Sequence, residues 1–215
     1  MEMSDRGVFI VLDGGEGCGK GTQCQILAKV FRSREFRVVV TREPGGTKIG
    51  EQVRQILLDP QYDITSLAET FLFSAARTKL CGEVIGPALN QGRVVISDRF
   101  DPSSYAYQGY AGEVGVEVIR WITALAASGL QPDLVLILDL DPEVGMRRKF
   151  GDKLDRIEQK NLEFHQRVRE GFLTYARERD YAVVIDADGT LREVHKRVIQ
   201  AVNRWLDLNL PVLNI

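Results

Sequence analysis

Cysteine is scarce in this chain. Three residues in 215 (Cys18, Cys24 and Cys81), an odd number without dense spacing, exclude a disulfide-stapled scaffold and fit a reducing compartment. No apolar run reaches membrane-spanning length. The opening residues, Met1-Glu2-Met3-Ser4-Asp5-Arg6-Gly7, are polar and too short for a secretory leader. The expectation is a cytoplasmic protein with no membrane partner. Excess charge of one sign is also lacking: 28 Lys and Arg against 30 Asp and Glu leave a formal net charge of −2. That argues against a nucleic-acid-coating protein. With no internal repeat, low-complexity segment or linker, residues 1–215 are expected to form one domain.

What is present is organised around one stretch. Val8 to Asp13 reads as a strand buried on both faces, and Gln23 to Phe31 places apolar residues at helical spacing. Between them lies Gly14-Gly15-Glu16-Gly17-Cys18-Gly19-Lys20-Gly21-Thr22. Strand, glycine loop, lysine and helix give the G-x-x-x-x-G-K pattern its physical meaning. Glycines let successive N–H groups turn toward one point, the helix dipole adds positive potential, and Lys20 adds a full charge. Such a nest suits a polyphosphate. Gly21 stands where Ser or Thr usually holds magnesium, with Thr22 next, and adenylate kinases resemble this Gly-Lys-Gly-Thr ending.

Further along, Arg37–Thr41 reads as a second buried strand, delivering Arg42 and Pro44 at its C-terminal end, where open α/β sheets bind ligands. A helix through Gln52 to Leu58 stops before Pro60, and a long one follows from Ser66 to Asn90 with Phe71, Phe73 and Arg77 close together. Plain packing accounts for one of the two phenylalanines. Arg93–Asp98 is a third strand, and Asp101–Gly115, rich in Ser, Tyr and Gly, reads as a loop. Val116–Ala127 is amphipathic, with Val118, Ile119, Ile122, Leu125 and Ala126 on one side. Leu134–Asp139 and Ala182–Asp186 complete five strands, with helices at Pro142–Met146, Asn161–Arg179 and Leu191–Leu206. Strands alternating with helices predict an α/β fold, a parallel sheet covered on both faces.

Asp98 ends its strand as an acid able to hold magnesium directly or through water. Arg99 follows on the opposite side of the pleat, and its planar fork suits phosphate. Residues 147–156 carry Arg147, Arg148, Lys149, Lys153 and Arg156, with Gly151 interrupting the helix as a mobile lid would. Phosphoryl transfer between two nucleotides explains such a second cluster. A phosphate acceptor needs no general base, but it must approach another anion, at roughly 4 kcal/mol per charge pair near 4 Å at an effective dielectric of 20. Lys20, Arg99, magnesium and a closing basic lid answer that cost.

These residues carry a resemblance. From Phe9 to about Trp205 the chain resembles the thymidylate kinases, in their bacterial form with a lid arginine. The matching motifs are Thr41-Arg42-Glu43-Pro44-Gly45-Gly46-Thr47, Phe73-Ser74-Ala75-Ala76-Arg77, Asp98-Arg99-Phe100, Ala106-Tyr107-Gln108-Gly109, Pro132-Asp133-Leu134 and Leu154-Asp155-Arg156-Ile157-Glu158. The resemblance implies a three-layer P-loop NTPase fold with a five-stranded parallel sheet and a short lid at about 147–158. It implies transfer of phosphate from ATP to dTMP with magnesium, in a homodimer. By the same resemblance, Gly15, Glu16, Gly17, Cys18, Gly19, Lys20, Gly21 and Thr22 hold ATP. Arg99 bridges donor and acceptor phosphates, with Arg42 and Pro44 on the acceptor side. Phe73 stacks on the thymine ring, Arg77 bonds its edge, and Ser104, Tyr107 and Gln108 line base and deoxyribose. Glu16 handles the sugar hydroxyl or magnesium, and Asp13 and Asp98 join it around the metal, in part through water. The phosphate loop has no arginine, so Arg147, Arg148 or Arg156 must supply the catalytic one.

Five positions depart from the family pattern, one of them Ala76, which stands where many members have Asp although the bacterial lid-arginine type often has Ala. Asp13 replaces Glu, Gly21 replaces Thr or Ser, Phe100 stands where Tyr or His is frequent, and Cys18 replaces Ala. Cys18 has two readings: a small filler residue, which is favoured, or a thiol whose pKa a helix N-terminus lowers, so that its oxidation would block ATP binding. Other readings have specific obstacles. An adenylate kinase favours Pro or Ser at Glu16, a GTP switch needs an Asn-Lys-x-Asp element that is absent, and a non-catalytic module has no use for lid arginines.

Overall fold

Alternation along β1 (Phe9–Gly14) sends Phe9 and Val11 into one hydrophobic cluster and Ile10 and Leu12 into another, so this strand is buried on both faces. The structure, a computed structural model, describes residues 6–112, 114–149 and 154–213. After β1 come α1 (Lys20–Arg32), β2 (Val38–Arg42), α2 (Lys48–Leu58) and α3 (Ser66–Leu80). A wide π-helical turn at Cys81–Ile85 leads into α4 (Gly86–Asn90), which precedes β3 (Val94–Asp98). Then follow α5 (Asp101–Ser104), a second π-helical run at Tyr105–Tyr110, α6 (Val116–Ala126) and β4 (Leu134–Asp139). The chain continues through α7 (Pro142–Arg148), α8 (Leu162–Arg177), β5 (Ala182–Asp186) and α9 (Leu191–Leu206).

All four strand pairings are parallel, in the order β2-β3-β1-β4-β5. The sheet has helices on both faces. One cluster packs Val95, Val135, Phe172 and Tyr175 under α3 and α8; the other packs Ile96, Leu136, Leu27 and Val198 under α1 and α9. Register places Asp98 beside both Leu12 and Arg42. The acid, the arginine and the glycine loop therefore meet at the carboxyl ends of the strands.

Three sequence expectations change. The second strand is an edge strand and only half-buried over Val38–Val40. Residues 101–110 are helical instead of a loop, because burial of Tyr105, Ala106, Tyr107, Gln108 and Gly109 overrides their weak helix propensity. On α6, Ile119, Ile122 and Ala126 face the core, but Val118 and Leu125 face outward with Trp121. The tail is tied down: Asn203 donates to the Leu210 carbonyl at 3.0 Å and accepts from its N–H at 2.8 Å.

Candidate active site

The phosphate side is made largely of backbone. Gly17 and Gly19 adopt φ of 70° and 86°, conformations open to glycine, and α1 begins at Lys20. Lys20 is 7% exposed and donates through Nζ to the carbonyls of Gly14 (3.0 Å) and Gly15 (2.6 Å). The loop rests directly on α7. A Cβ on Gly17 would run into the Gly145 carbonyl, and one on Gly145 into the Glu16 carbonyl.

Of the two readings of Cys18, its burial supports the filler. Loss of hydration pushes the thiol pKa up despite the nearby Lys20 and Arg99. Desolvation outweighs the helix terminus here.

A cleft of about 470 Å³ opens over the strand ends, and Glu16, Gly17, Gly19, Lys20, Gly21 and Thr22 border it on one side. Arg42, Pro44, Phe73, Ser104, Tyr107 and Gln108 border it on the other. Asp98 and Arg99 lie between them. Arg99 lies past the strand with a φ of 72°, so pleat alternation ends and both side chains reach the cleft. Its guanidinium meets Glu16 Oε1 at 2.6 Å and donates to Ser103 Oγ at 3.1 Å. Tyr107 O–H donates to the same Glu16 oxygen at 2.7 Å, and Lys149 approaches the other at 3.4 Å. Burial alone would raise the Glu16 pKa, but Arg99, Lys20, Tyr107 and Lys149 together hold it far below the usual carboxylate range. For Arg99, burial would lower the pKa, but Glu16, Tyr107, Asp13 and Asp98 keep it well above the usual value.

Arg77 is 1% exposed and sits behind the cleft lining. Its Nη2 meets Glu43 Oε2 at 2.6 Å and Ser104 Oγ at 3.2 Å, and Nη1 has no partner. The expectation that plain packing accounts for one phenylalanine and leaves the other for the cleft does not hold. Phe71 is 57% exposed, whereas Phe73 borders the cleft and packs on the core.

Asp13 does not serve as the metal acid expected from its position. Fully buried, its carboxylate accepts from Gly14 N–H, Phe100 N–H, Ser103 N–H and Ser103 O–H at 2.8–3.2 Å. Those four donors leave it no lone pair for a metal or its water, and it holds the 99–103 turn instead. Burial raises its pKa, against Arg99 and Lys20. Of the residues that could hold magnesium, Asp98 and Thr22 border the cleft, as does Glu16, whose carboxylate is engaged by Arg99 and Tyr107. A Cβ on Gly21 would stand 3.1 Å from Asp98 Oδ2, so glycine leaves that carboxylate room. Among the described residues no three His, Cys, Asp or Glu side chains cluster for a metal. One carboxylate and one hydroxyl fit an ion that keeps water and phosphate ligands, as magnesium does.

The lid arginines differ in placement. Arg148 reaches over the loop, 3.5 Å from the Gly17 carbonyl and 3.4 Å from that of Ala187. Arg147 points outward near Glu143. Arg156 is turned away from the cleft and packs on Leu57 and Glu69. Residues 150–153, including Gly151 and Lys153, lie outside the described residues. Reading the sequence missed Glu69, Ser103, Arg54 and the pairing of Lys149 with Glu16 and Glu158. Glu69 left one trace, its helical spacing four residues before Phe73 and eight before Arg77.

No helix among the described residues is long and apolar enough to cross a membrane. Comparison with known proteins agrees with this geometry. A family model described as thymidylate kinase matches residues 12–198. The thymidylate kinase of Caldanaerobacter subterraneus subsp. tengcongensis is 42% identical over 202 residues, 94% of this chain and 97% of its own. That of Synechococcus sp. is 48% identical over 208 residues, 95% and 99% of the two chains. The crystal structure of thymidylate kinase from Ehrlichia chaffeensis superposes with a TM-score of 0.73 at 32% identity, covering 92% of this chain and 99% of that one. With phosphate loop, acceptor wall and fold all in agreement, the chain belongs to the thymidylate kinase family.

Proposed function

We propose that the protein transfers the γ-phosphoryl group of ATP to dTMP, giving dTDP and ADP, by direct in-line displacement. The observation that carries this reading is the two-sided cleft, with a phosphate nest facing an aromatic, hydrogen-bonding wall and Arg99 between them. Two anions must meet there. Lys20 leaves its loop carbonyls to take the donor phosphates, and Arg99 exchanges part of its contact with Glu16 for the acceptor phosphate. Arg42 extends positive charge along the acceptor side. Arg148, already over the loop, is the lid arginine placed to follow the transferring group, ahead of Arg147 and Arg156. Phe73 offers its ring to the base, while Arg77, Ser104, Tyr107 and Gln108 supply polar partners. Magnesium, held by Asp98 and Thr22 and in part through water near Glu16, supplies charge neutralisation at the phosphates when bound. The protein's own contribution is positioning and exclusion of water, since the acceptor phosphate needs no base.

The wider reading has the whole chain acting as one cytoplasmic unit, with a lid at about 147–158 and no nucleic-acid or membrane partner. A homodimer is supported by the apolar residues that α6 and α3, packed against each other, present outward: Trp121 is 70% exposed, Leu125 68% and Phe71 57%. Sedimentation that returns a monomer at micromolar concentration removes that part.

The test is ADP release with ATP and magnesium against dTMP, dUMP, AMP, CMP and GMP. Strong preference for dTMP is the expected outcome. Preference for AMP would transfer the assignment to the loop ending, and release with no acceptor at all would end the kinase reading.

A further inference from the structure

Glu69 is 2% exposed in the first turn of α3, and groups from two distant parts of the chain converge on it. Gln108 donates through Nε2 to its Oε2 at 2.8 Å. Arg156 brings Nη1 to within 2.7 Å of its Oε1, and Lys160 stands 4.0 Å from the same oxygen. Arg156 is itself tied to the end of α2, its backbone N–H donating to the Leu58 carbonyl at 3.2 Å and its Nε to the Leu57 carbonyl at 3.0 Å.

The chemistry of the carboxylate decides an orientation. Paired with Arg156, Glu69 can only accept hydrogen bonds, so the NH₂ end of the Gln108 amide must face it. Oε1 is then turned away from Glu69, on a side chain that borders the cleft beside Phe73. Without Glu69 the amide could present either end, donor or acceptor, to a ligand.

We infer that Glu69 is a positioning residue for base selection: it locks Gln108 with its carbonyl toward the acceptor base and ties the 154–160 arm to the same carboxylate through Arg156. The inference rests on reading the cleft as a dTMP site. A locked acceptor favours a ring nitrogen that carries hydrogen, as in thymine and uracil, over one that carries a lone pair, as in cytosine. One buried group then serves both recognition and docking of the arm.

Glu69→Gln tests this, since an amide at 69 can face Gln108 in either sense. The dTMP over dCMP ratio of kcat/KM should fall about tenfold, the worth of one well-placed hydrogen bond, with the dTMP over dUMP ratio unchanged. A structural defect alone would lower all three substrates together. Arg156→Met should keep the dTMP over dCMP ratio within about twofold while hydrogen exchange across 154–160 accelerates. If folded Glu69→Gln retains the dTMP over dCMP ratio, or if it loses the dTMP over dUMP ratio equally, the inference is overturned. In the unsubstituted protein, the ¹⁵N-labelled Gln108 amide should keep one slowly exchanging hydrogen with and without dTMP; fast exchange of both also overturns it. A wild-type enzyme without preference for dTMP would instead remove the functional reading itself.

Discussion

The two walls of the cleft are built on different principles. The donor wall is local: strand, glycine loop and helix follow one another in sequence, and the residues bordering the cleft there, all within Glu16 to Thr22, come from that one run. The acceptor wall is assembled from afar. Arg77 pairs with Glu43 thirty-four residues away, and Gln108 bonds Glu69 across thirty-nine. A polyphosphate is generic and can be read by backbone dipoles, whereas one nucleoside monophosphate must be told from others by side chains. Those side chains are held by a buried ion pair, Arg77 with Glu43, and a buried hydrogen bond, Gln108 to Glu69, both costly to break.

The sharpest way to break this contrast is Arg77→Met. It leaves Glu43 buried and unpaired, with side chains 1% and 4% exposed in the native pair, so a loss of about 3–5 kcal/mol in unfolding free energy is expected. Denaturant titration measures it, and in the surviving folded protein KM for dTMP should rise with KM for ATP little changed. Equal damage to both constants would mean that the walls are not independent. Lys20→Ala should behave in the opposite sense. Turnover falls about 10²–10³-fold, while stability falls by about 1.5–3 kcal/mol, less than for the Arg77 pair, because the lysine's partners are two neutral loop carbonyls, those of Gly14 and Gly15. Initial rates with saturating ATP and a urea curve together decide it.

The smallest effect concerns two buried imidazoles. His195, on α9, faces Gln23 of α1 behind the donor wall, and His165 lies on α8; burial lowers the pKa of both from the ordinary 6.5. Below that value the unfolded chain takes up protons that the native state refuses, so stability falls with pH. Each imidazole contributes a slope of at most about 1.4 kcal/mol per pH unit. His195→Gln should remove one such contribution, read as urea midpoints at pH 7.5 and 5.5 (chosen to bracket the ordinary value, about one unit either side). An unchanged slope would show that His195 protonates in the native state.

The same contrast explains what could be read in advance. Periodicity and glycine placement fixed the strands, their helices and the phosphate loop, because the signals are contiguous. The 101–110 segment escaped, since Ser, Tyr and Gly report loop chemistry while the helix there is imposed by burial against α8. Asp13 showed its position but not its donors, three of which come from a turn 87 to 90 residues on. Cys18 gave a helix terminus but not its burial. Glu69 showed only a spacing, because a buried acid looks like a surface acid until its partners are brought to it. On α6, apolar residues on two faces read as one.

The meeting of Gly17 with Gly145 bears on modularity. The phosphate loop is often regarded as a transplantable part, complete in its own nine residues. Here its backbone shares a surface with α7 so closely that neither chain segment has room for a single methyl group at the junction. A loop borrowed from another nucleotide-binding protein would need glycine at the matching place, and a redesigned α7 would have to keep its own. The unit of exchange in this molecule is the loop together with α7.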